Sequence, residues 1–299
     1  MVDSISGINE QKYKHPGFWA CAGGTVAGLF AMGVPIAIAH NAILPKLEKS
    51  FDESSKVSSD EFVQINKATE QVLQDSGLAA KGVSILRYSP ETAEEIAEVF
   101  KKENPILSKI KSKFLRAALG LPSVDELKTG GNGFYTPIAK KILIPEKALP
   151  LTIFHEMGHA GIYSSMTGKV LEKTGYLAVL SLPILLISLL KTKKAPNEKP
   201  VGIIDKTTDF IKNNAGKLTF VLGGTGLLTL INEGLASIKG VGYAKKVLDP
   251  TLVQKFSKSS KFAFLTYLTA AVAGSVGVAL AVKVKDAIAK PKRINENKS

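Results

Sequence analysis

The sequence is poor in the residues that build covalent frameworks and compact metal sites. Cys21 is the only cysteine among 299 residues, which excludes a disulfide framework and a zinc ribbon made of cysteines. Acidic residues are also few, since 26 Asp and Glu stand against 39 Lys and Arg, a net charge of +13. There are only four histidines. Any regularly spaced histidine pair is therefore informative.

The positive charge coexists with many apolar residues, which make up 45% of the chain and give a positive mean hydropathy of +0.12. A charge this high normally lowers hydropathy, so the apolar residues must be concentrated in separate segments. This excludes a disordered tail and a simple basic nucleic-acid binder. The length predicts about two domains.

The first long uncharged run, Phe18 to Leu44, exceeds the roughly 20 residues that a membrane-spanning helix needs. It predicts a transmembrane helix over 17–44, preceded by a tail at 1–16. Gly24 and Gly28 form a GxxxG pair in this run, which permits close helix contact. The alternative is a signal peptide, because lysines precede the run and the small residues near position 39 resemble a cleavage site.

Three further segments are apolar enough to be placed in a membrane. Residues 262–282 form an uncharged run of spanning length, followed by a basic tail at 283–299. Two shorter runs, 175–191 and 217–238, predict a helical hairpin that crosses the membrane twice around a basic loop at 192–216. The alternative for this pair is two buried helices of a soluble domain. The sequence thus predicts about four transmembrane helices.

The remaining segments carry mixed charge and ordinary apolar content. Residues 45–150 predict a water-exposed α+β part, and residues 239–261 a polar linker. Periodicity within the α+β part predicts three helices and two strands, which are the helices at 59–74, 91–102 and 106–119 and the strands at 83–88 and 142–144.

A motif that carries chemistry follows in the predicted helix over 151–168. The sequence His155-Glu156-Met157-Gly158-His159 is an HExxH motif. Positions i and i+4 lie on one face of a helix, so the two imidazoles can bind one Zn²⁺ while Glu156 points at a water molecule beside it. A chance match is expected only on the order of a few times per thousand chains of this composition. The spacing therefore predicts a zinc site.

A catalytic zinc ion normally has three protein ligands and one open position, so a third ligand is expected. Glu233 is the candidate, because it is the only charge between Leu218 and Ile238, and a lone ionisable residue in an apolar helix is costly unless paired or bound to metal. If the hairpin crosses twice, Glu233 also returns to the level of His159. The alternative is a helix-end carboxylate that faces water or pairs with Lys239.

The order of these elements resembles that of the integral-membrane gluzincins. HExxH is followed by two hydrophobic helices and then by Glu233-Gly234-Leu235-Ala236-Ser237. This is similar to the third-ligand motif of the HtpX and CAAX-prenyl-protease type, and especially of the YugP-type neutral zinc metallopeptidases. Ser237 stands where the first type has Asp, which favours the YugP-like branch. The resemblance covers roughly residues 83–248.

The resemblance implies a zincin-like α+β catalytic domain within a mainly α, membrane-embedded fold. It also implies further positions near the metal or the substrate, which are Ser237, Asn132, Phe134, Ile142 and Ile144. An extended substrate is expected to pair with the strand from Ile142 to Ile144, taken as the edge of the sheet. The sequence does not identify a transition-state donor. Tyr243 and His40 lie on the metal side in the predicted topology, but a packed or interfacial side chain is the favoured interpretation of each.

The predicted function is a membrane-bound endopeptidase with one Zn²⁺ per chain, in which Glu156 is the general base for a zinc-activated water. The expected partners are a peptide or membrane-protein substrate and the lipid bilayer, with no nucleic acid; substrate identity and oligomeric state stay open. The resemblance implies a multi-pass protein of the cell membrane with a cytoplasmic catalytic face, although the lysines and arginines are too evenly divided to fix the orientation. The alternative is a catalytically silent membrane scaffold that retains the metal site, against which Glu156 argues because a structural site needs no base.

Overall fold

The described chain is mostly helical, with two small sheets. The computed structural model describes residues 13–103, 123–129, 133–146, 151–166, 168–170, 184, 186–195 and 197–294. The helices are α1 Phe18–Ile38, α2 Leu44–Ser55, α3 Ser59–Asp75, α4 Ala93–Glu103, α5 Val124–Lys128, α6 Thr152–Tyr163, α7 Gly202–Asn213, α8 Ala215–Val247 and α9 Pro250–Ile288. The strands are β1 Tyr13–Lys14, β2 Ser84–Tyr88, β3 Phe134–Thr136, β4 Lys141–Pro145 and β5 Lys292–Arg293.

The chain divides into two units of dense internal contact. One unit comprises Met1–Ala39, Leu180–Gly223 and Val272–Ser299, and the other comprises His40–Val179 and Gly224–Ala271. Each unit therefore joins segments that are far apart in sequence.

Two helical stretches of the described residues are long and apolar enough to cross a membrane. They are Phe18–Ser55 and Pro250–Ile288, each with a mean hydropathy of 1.8 over its most apolar window. They contain the predicted spans at 17–44 and 262–282. The predicted span at 217–238 lies within α8, whereas most of the one at 175–191 falls outside the described residues.

The first unit is built on an antiparallel contact between α1 and the C-terminal part of α9. Gly28 lies against the backbone of Ala281, so close that an added Cβ would meet the Ala281 carbonyl oxygen at 2.6 Å. Gly277 makes the equivalent approach to Met32. The GxxxG pair of the sequence is thus used within the chain. The predicted basic loop at 192–216 contains the helix α7.

The second unit contains a three-stranded sheet in the order β2-β4-β3. β4 runs parallel to β2 and antiparallel to β3. α3 packs beside this sheet and begins with a capping box, in which Ser58 and Glu61 exchange hydrogen bonds of 3.2 and 2.7 Å. The predicted helix at 59–74 and both predicted strands are confirmed within a few residues. The predicted helix at 106–119 lies outside the described residues.

The expectation that Ile142 to Ile144 form a free sheet edge is wrong. These residues belong to β4, which is hydrogen-bonded on one side to β2 and on the other to β3. Both isoleucine side chains are buried in the core shared with α3 and α6. A central strand has no unpaired backbone groups to offer, so a substrate cannot pair with it.

Candidate metal centre

The helix α6 presents two imidazoles, one turn apart, on the same face. His155 Nε2 and His159 Nε2 lie 3.1 Å from each other, and the two rings are nearly perpendicular, at 87°. The apolar residues around them, including Phe154 and Met157, are buried in the core of the second unit. The core therefore fixes the rotation of α6 and with it the direction of both histidines.

The helix α8 brings a carboxylate to this pair. Glu233 Oε2 lies 3.1 Å from His155 Nε2 and 3.5 Å from His159 Nε2. Lys239, the alternative partner of Glu233 in the sequence, instead donates to the carbonyl oxygen of Gly161 at 2.7 Å. The third ligand predicted from the sequence thus meets both histidines.

Small residues explain how α8 approaches α6 so closely. Gly158 faces the backbone of Ala236, and Gly240 faces the carbonyl of Phe154, so that a Cβ added at either glycine would overlap backbone atoms. The two helices therefore touch along their main chains. Since Ala236 follows Glu233 by three residues, this contact sets the carboxylate against the histidines.

The three donor atoms form a nearly regular triangle with sides of 3.1, 3.1 and 3.5 Å. A single cation placed between the three atoms can be bound by all of them at once. His155, His159 and Glu233 can therefore hold a metal ion. Their side chains are largely buried, which shields a bound ion from water.

Neighbouring side chains hold the two imidazoles in place. Ser237 Oγ lies 3.1 Å from His155 Nδ1, and with the proton on Nδ1 this nitrogen donates to the hydroxyl and leaves Nε2 free for the metal. His159 stacks on Tyr163 at a ring angle of 18°, and Tyr163 stacks on Tyr135. Asn232 donates to the Tyr163 hydroxyl at 2.9 Å, which ties this stack to α8.

Glu156 lies beside the triangle and is only 6% exposed. Burial raises the pKa of its carboxyl to about 8, because the charged form loses water. The charge of His155 opposes this rise in pKa, the negative charge of Glu233 adds to it, and the backbone N–H of Tyr135 opposes it by donating to the carboxylate. The proton affinity of Glu156 therefore depends on its burial and on the charges next to it.

A cavity of about 470 Å³ opens beside these groups. His155 and Glu156 line it from α6, Phe51 lines it from α2, and Phe256 and Tyr267 line it from α9. The cavity therefore joins the metal ligands, a buried carboxyl and a phenol.

Other residues predicted for the site lie elsewhere. Tyr243 is ten residues beyond Glu233 on α8, about 15 Å along the helix axis, and its hydroxyl lies against Gly161. Phe134 packs into the small core around Tyr88 and Leu143, away from the metal ligands. Asn132 lies outside the described residues. Tyr243 thus packs against the core of the second unit, in agreement with the packed tyrosine favoured from the sequence.

Tyr267 was not predicted as a site residue, because it lies in the apolar run at 262–282 that was assigned to a membrane span. A signal was present, since polar residues at the end of the predicted linker and at the start of this run recur at helical spacing and form one stripe, which consists of Ser259, Ser260, Thr266 and Tyr267. The close contact of α6 with α8 was also visible as small residues at Gly158, Ala236 and Gly240.

Comparisons with protein-family models, with curated proteins and with solved structures find no match. The geometry of the metal centre itself therefore carries the functional conclusion.

Proposed function

We propose that the chain is a membrane-bound zinc-dependent endopeptidase of the gluzincin kind, with the YugP-type arrangement that its sequence resembles. One observation carries this proposal. Glu233, 78 residues after His155, meets both histidines of the HExxH motif while Glu156 lies next to them on an open cavity. A chance motif on a helix surface would have no reason to attract a buried carboxylate from a distant helix.

The donor set favours zinc. Two imidazole nitrogens and one carboxylate oxygen are typical of catalytic zinc sites, whereas Mg²⁺ and Ca²⁺ prefer oxygen ligands alone. Bonds of about 2.0–2.1 Å to a tetrahedral ion imply ligand atoms about 3.3 Å apart. The observed separations of 3.1, 3.1 and 3.5 Å agree with that spacing.

Each nearby residue has a distinct role in hydrolysis. Zinc, when bound, polarises the scissile carbonyl and makes water a better nucleophile at neutral pH. Glu156 accepts the proton from the water and passes it to the leaving amine, and the N–H of Tyr135 keeps its carboxylate in position. A zinc ion held by His155, His159 and Glu233 would place positive charge next to Glu156 and would favour the ionised carboxylate that acts as the base.

Tyr267 is the proposed donor to the negative oxygen that develops on the scissile carbonyl. Tyr267 lines the same cavity as His155 and Glu156. A positioned hydrogen-bond donor at this point stabilises the transition state more than the substrate.

The walls of the cavity favour a substrate at or in the membrane. α9 belongs to a stretch that is apolar enough to cross a bilayer, and α2, which carries charged residues, continues the other such stretch beyond α1. We therefore propose a multi-pass protein of the cell membrane that cleaves a peptide or a membrane protein.

The test is the zinc content and casein hydrolysis of the full chain, purified in detergent. We expect about one zinc ion per chain, a large loss of zinc in Glu233→Gln, and full zinc without hydrolysis in Glu156→Gln. Glu70→Gln is the matched control, because Glu70 is an exposed glutamate of α3. No zinc in the parent, or zinc unchanged in Glu233→Gln, contradicts the metal assignment; zinc with persistent hydrolysis in Glu156→Gln contradicts the role of the base.

A further inference from the structure

The outward face of α7 is apolar. Ile203 is 84% exposed, Ile204 81% and Phe210 61%, and Val201, just before the helix, is exposed as well. Residues 203, 204, 207 and 210 share one side of a helix with 3.6 residues per turn. Of these four only Thr207 is polar. This face packs on no described residue, and it is larger than a scatter of single exposed side chains.

The inward face of α7 is polar and firmly held. The Lys212 side chain is only 1% exposed. Its Nζ lies 2.5 Å from Asp286 Oδ1 and also donates to the carbonyl oxygen of Ser188. Asp205 pairs with Lys194 and accepts from the backbone N–H of Val201 at 2.7 Å. A water-soluble amphipathic helix has the opposite arrangement, with its apolar side inward. Rotation of α7 would break these ion pairs, so the apolar face is held outward.

Contacts within the first unit fix the level of α7 along the two apolar helices. Asp286, the partner of Lys212, lies two residues before the end of α9. Glu198, four residues before α7, pairs at 2.7 Å with His15, which lies three residues before α1 begins. β1 also pairs with β5, so the start of α1 and the end of α9 are at the same level. α7 therefore lies where both apolar helices end.

The charge around α7 suits an anionic lipid surface. Residues 191–217 hold seven lysines against three acidic residues. Phe18 and Trp19 are exposed at the start of α1, at this same level. Exposed aromatic residues at a helix end, with lysines beside them, are typical of the boundary between acyl chains and headgroups. A second copy of this chain would bring the same positive charge and be repelled.

We propose that α7 lies flat in the membrane–water interface, with Val201, Ile203, Ile204 and Phe210 inserted among the lipid chains and the surrounding lysines on anionic headgroups. The helix thereby anchors the end of the first unit at a fixed depth. This inference rests on the membrane location proposed above but not on peptidase activity.

The test places single cysteines on the full chain in a Cys21→Ser background. Ile203→Cys and Phe210→Cys probe the apolar face, and Val63→Cys is the matched control, because Val63 is an equally apolar and exposed residue of α3. Each variant receives an environment-sensitive fluorophore and is reconstituted in nanodiscs of phosphatidylcholine with or without phosphatidylglycerol. Iodide in the water and a nitroxide on the lipid then quench the label in separate experiments.

We expect labels at 203 and 210 to emit at shorter wavelength than the label at 63, to be quenched by the nitroxide lipid, and to be several-fold less quenched by iodide. Protection from iodide should decrease without phosphatidylglycerol. Iodide quenching equal to that at 63 would overturn insertion. Protection from iodide without nitroxide quenching would assign the face to a protein partner instead, and equal protection in both lipids would overturn the role of the lysines. Neither quencher reports on zinc or hydrolysis, so this proposal and the peptidase proposal fail separately.

Discussion

α6 and α7 each contain twelve residues, yet their polar and apolar faces are used in opposite ways. In α6, apolar residues such as Ile153 and Met157 are buried, and the buried polar groups His159 and Glu156 line or adjoin the metal centre. In α7, isoleucines face outward and a lysine is buried. The number of apolar residues therefore does not assign a helix to water, core or lipid. The position of the paired polar groups does.

The largest expected difference concerns two matched isoleucines. Ile153→Ala should lower the free energy of unfolding by about 2–5 kcal/mol, because it leaves a cavity in a packed core. Ile203→Ala should change it by less than about 0.5 kcal/mol in detergent, because its side chain packs on nothing in the protein. Thermal or denaturant unfolding of both variants measures this. Equal losses would mean that the outward face of α7 packs on protein.

The cavity beside α6 gives the next effect. Tyr267→Phe should lower kcat on casein about 10²- to 10³-fold with zinc content unchanged, because one transition-state donor is removed. Tyr243→Phe is the control and should leave kcat within about twofold, since this tyrosine lies about 15 Å away along α8. Steady-state kinetics at matched zinc content separates the two. A similar loss in both variants, or a loss of zinc in Tyr267→Phe, would remove Tyr267 from the mechanism.

The backbone contact between α6 and α8 predicts a smaller change. Gly240→Ala should weaken metal binding about 10- to 100-fold, because the new Cβ pushes α8 away from the Phe154 carbonyl and displaces Glu233. Gly242→Ala is the control on the same helix, where an added Cβ meets open space. It should stabilise α8 by up to about 1 kcal/mol and leave metal affinity intact. Competition with a chromophoric chelator measures both affinities, and equal affinities would contradict the tight contact.

The smallest effect tests how the inner face of α7 is held. The ammonium of Lys194 and the N–H of Val201 hold the pKa of Asp205 below its usual range. Its contribution to stability is therefore present above the ordinary pKa of an aspartate and is lost as the pH falls through the lowered value. Asp205→Asn should speed hydrogen exchange of the α7 amides less than about fivefold at neutral pH. Parent and variant should converge in acid, and Asp209→Asn, on the same helix, is the control.

Much of the second unit was predictable from local patterns. The helix at 59–74 had apolar residues at helical spacing, and the HExxH spacing placed both imidazoles on one helix face. Glu233 was predictable because a single charge in an apolar run needs a partner. These signals are short-range or depend on one unusual residue, so a sequence alone reveals them.

The predictions failed where contacts between residues far apart in sequence determine the structure. The strand at 142–144 was predicted to be an edge because the resemblance implied one, whereas its parallel pairing with β2 joins residues far apart in sequence. α7 was hidden in a basic loop because the pairing of Lys212 with Asp286 cannot be read from composition.

The separation of the ligands along the chain also sets when the centre can form. Glu233 is synthesised 78 residues after His155, an interval of about 4 to 16 s at about 5 to 20 residues per second. During that time the nascent chain has both histidines and the base but neither the third ligand nor the α9 wall of the cavity. The donor triangle closes only after α8 has been made and has packed on α6. If the chain is the peptidase proposed above, it has no complete metal centre, and therefore no hydrolytic activity, until α8 has packed on α6.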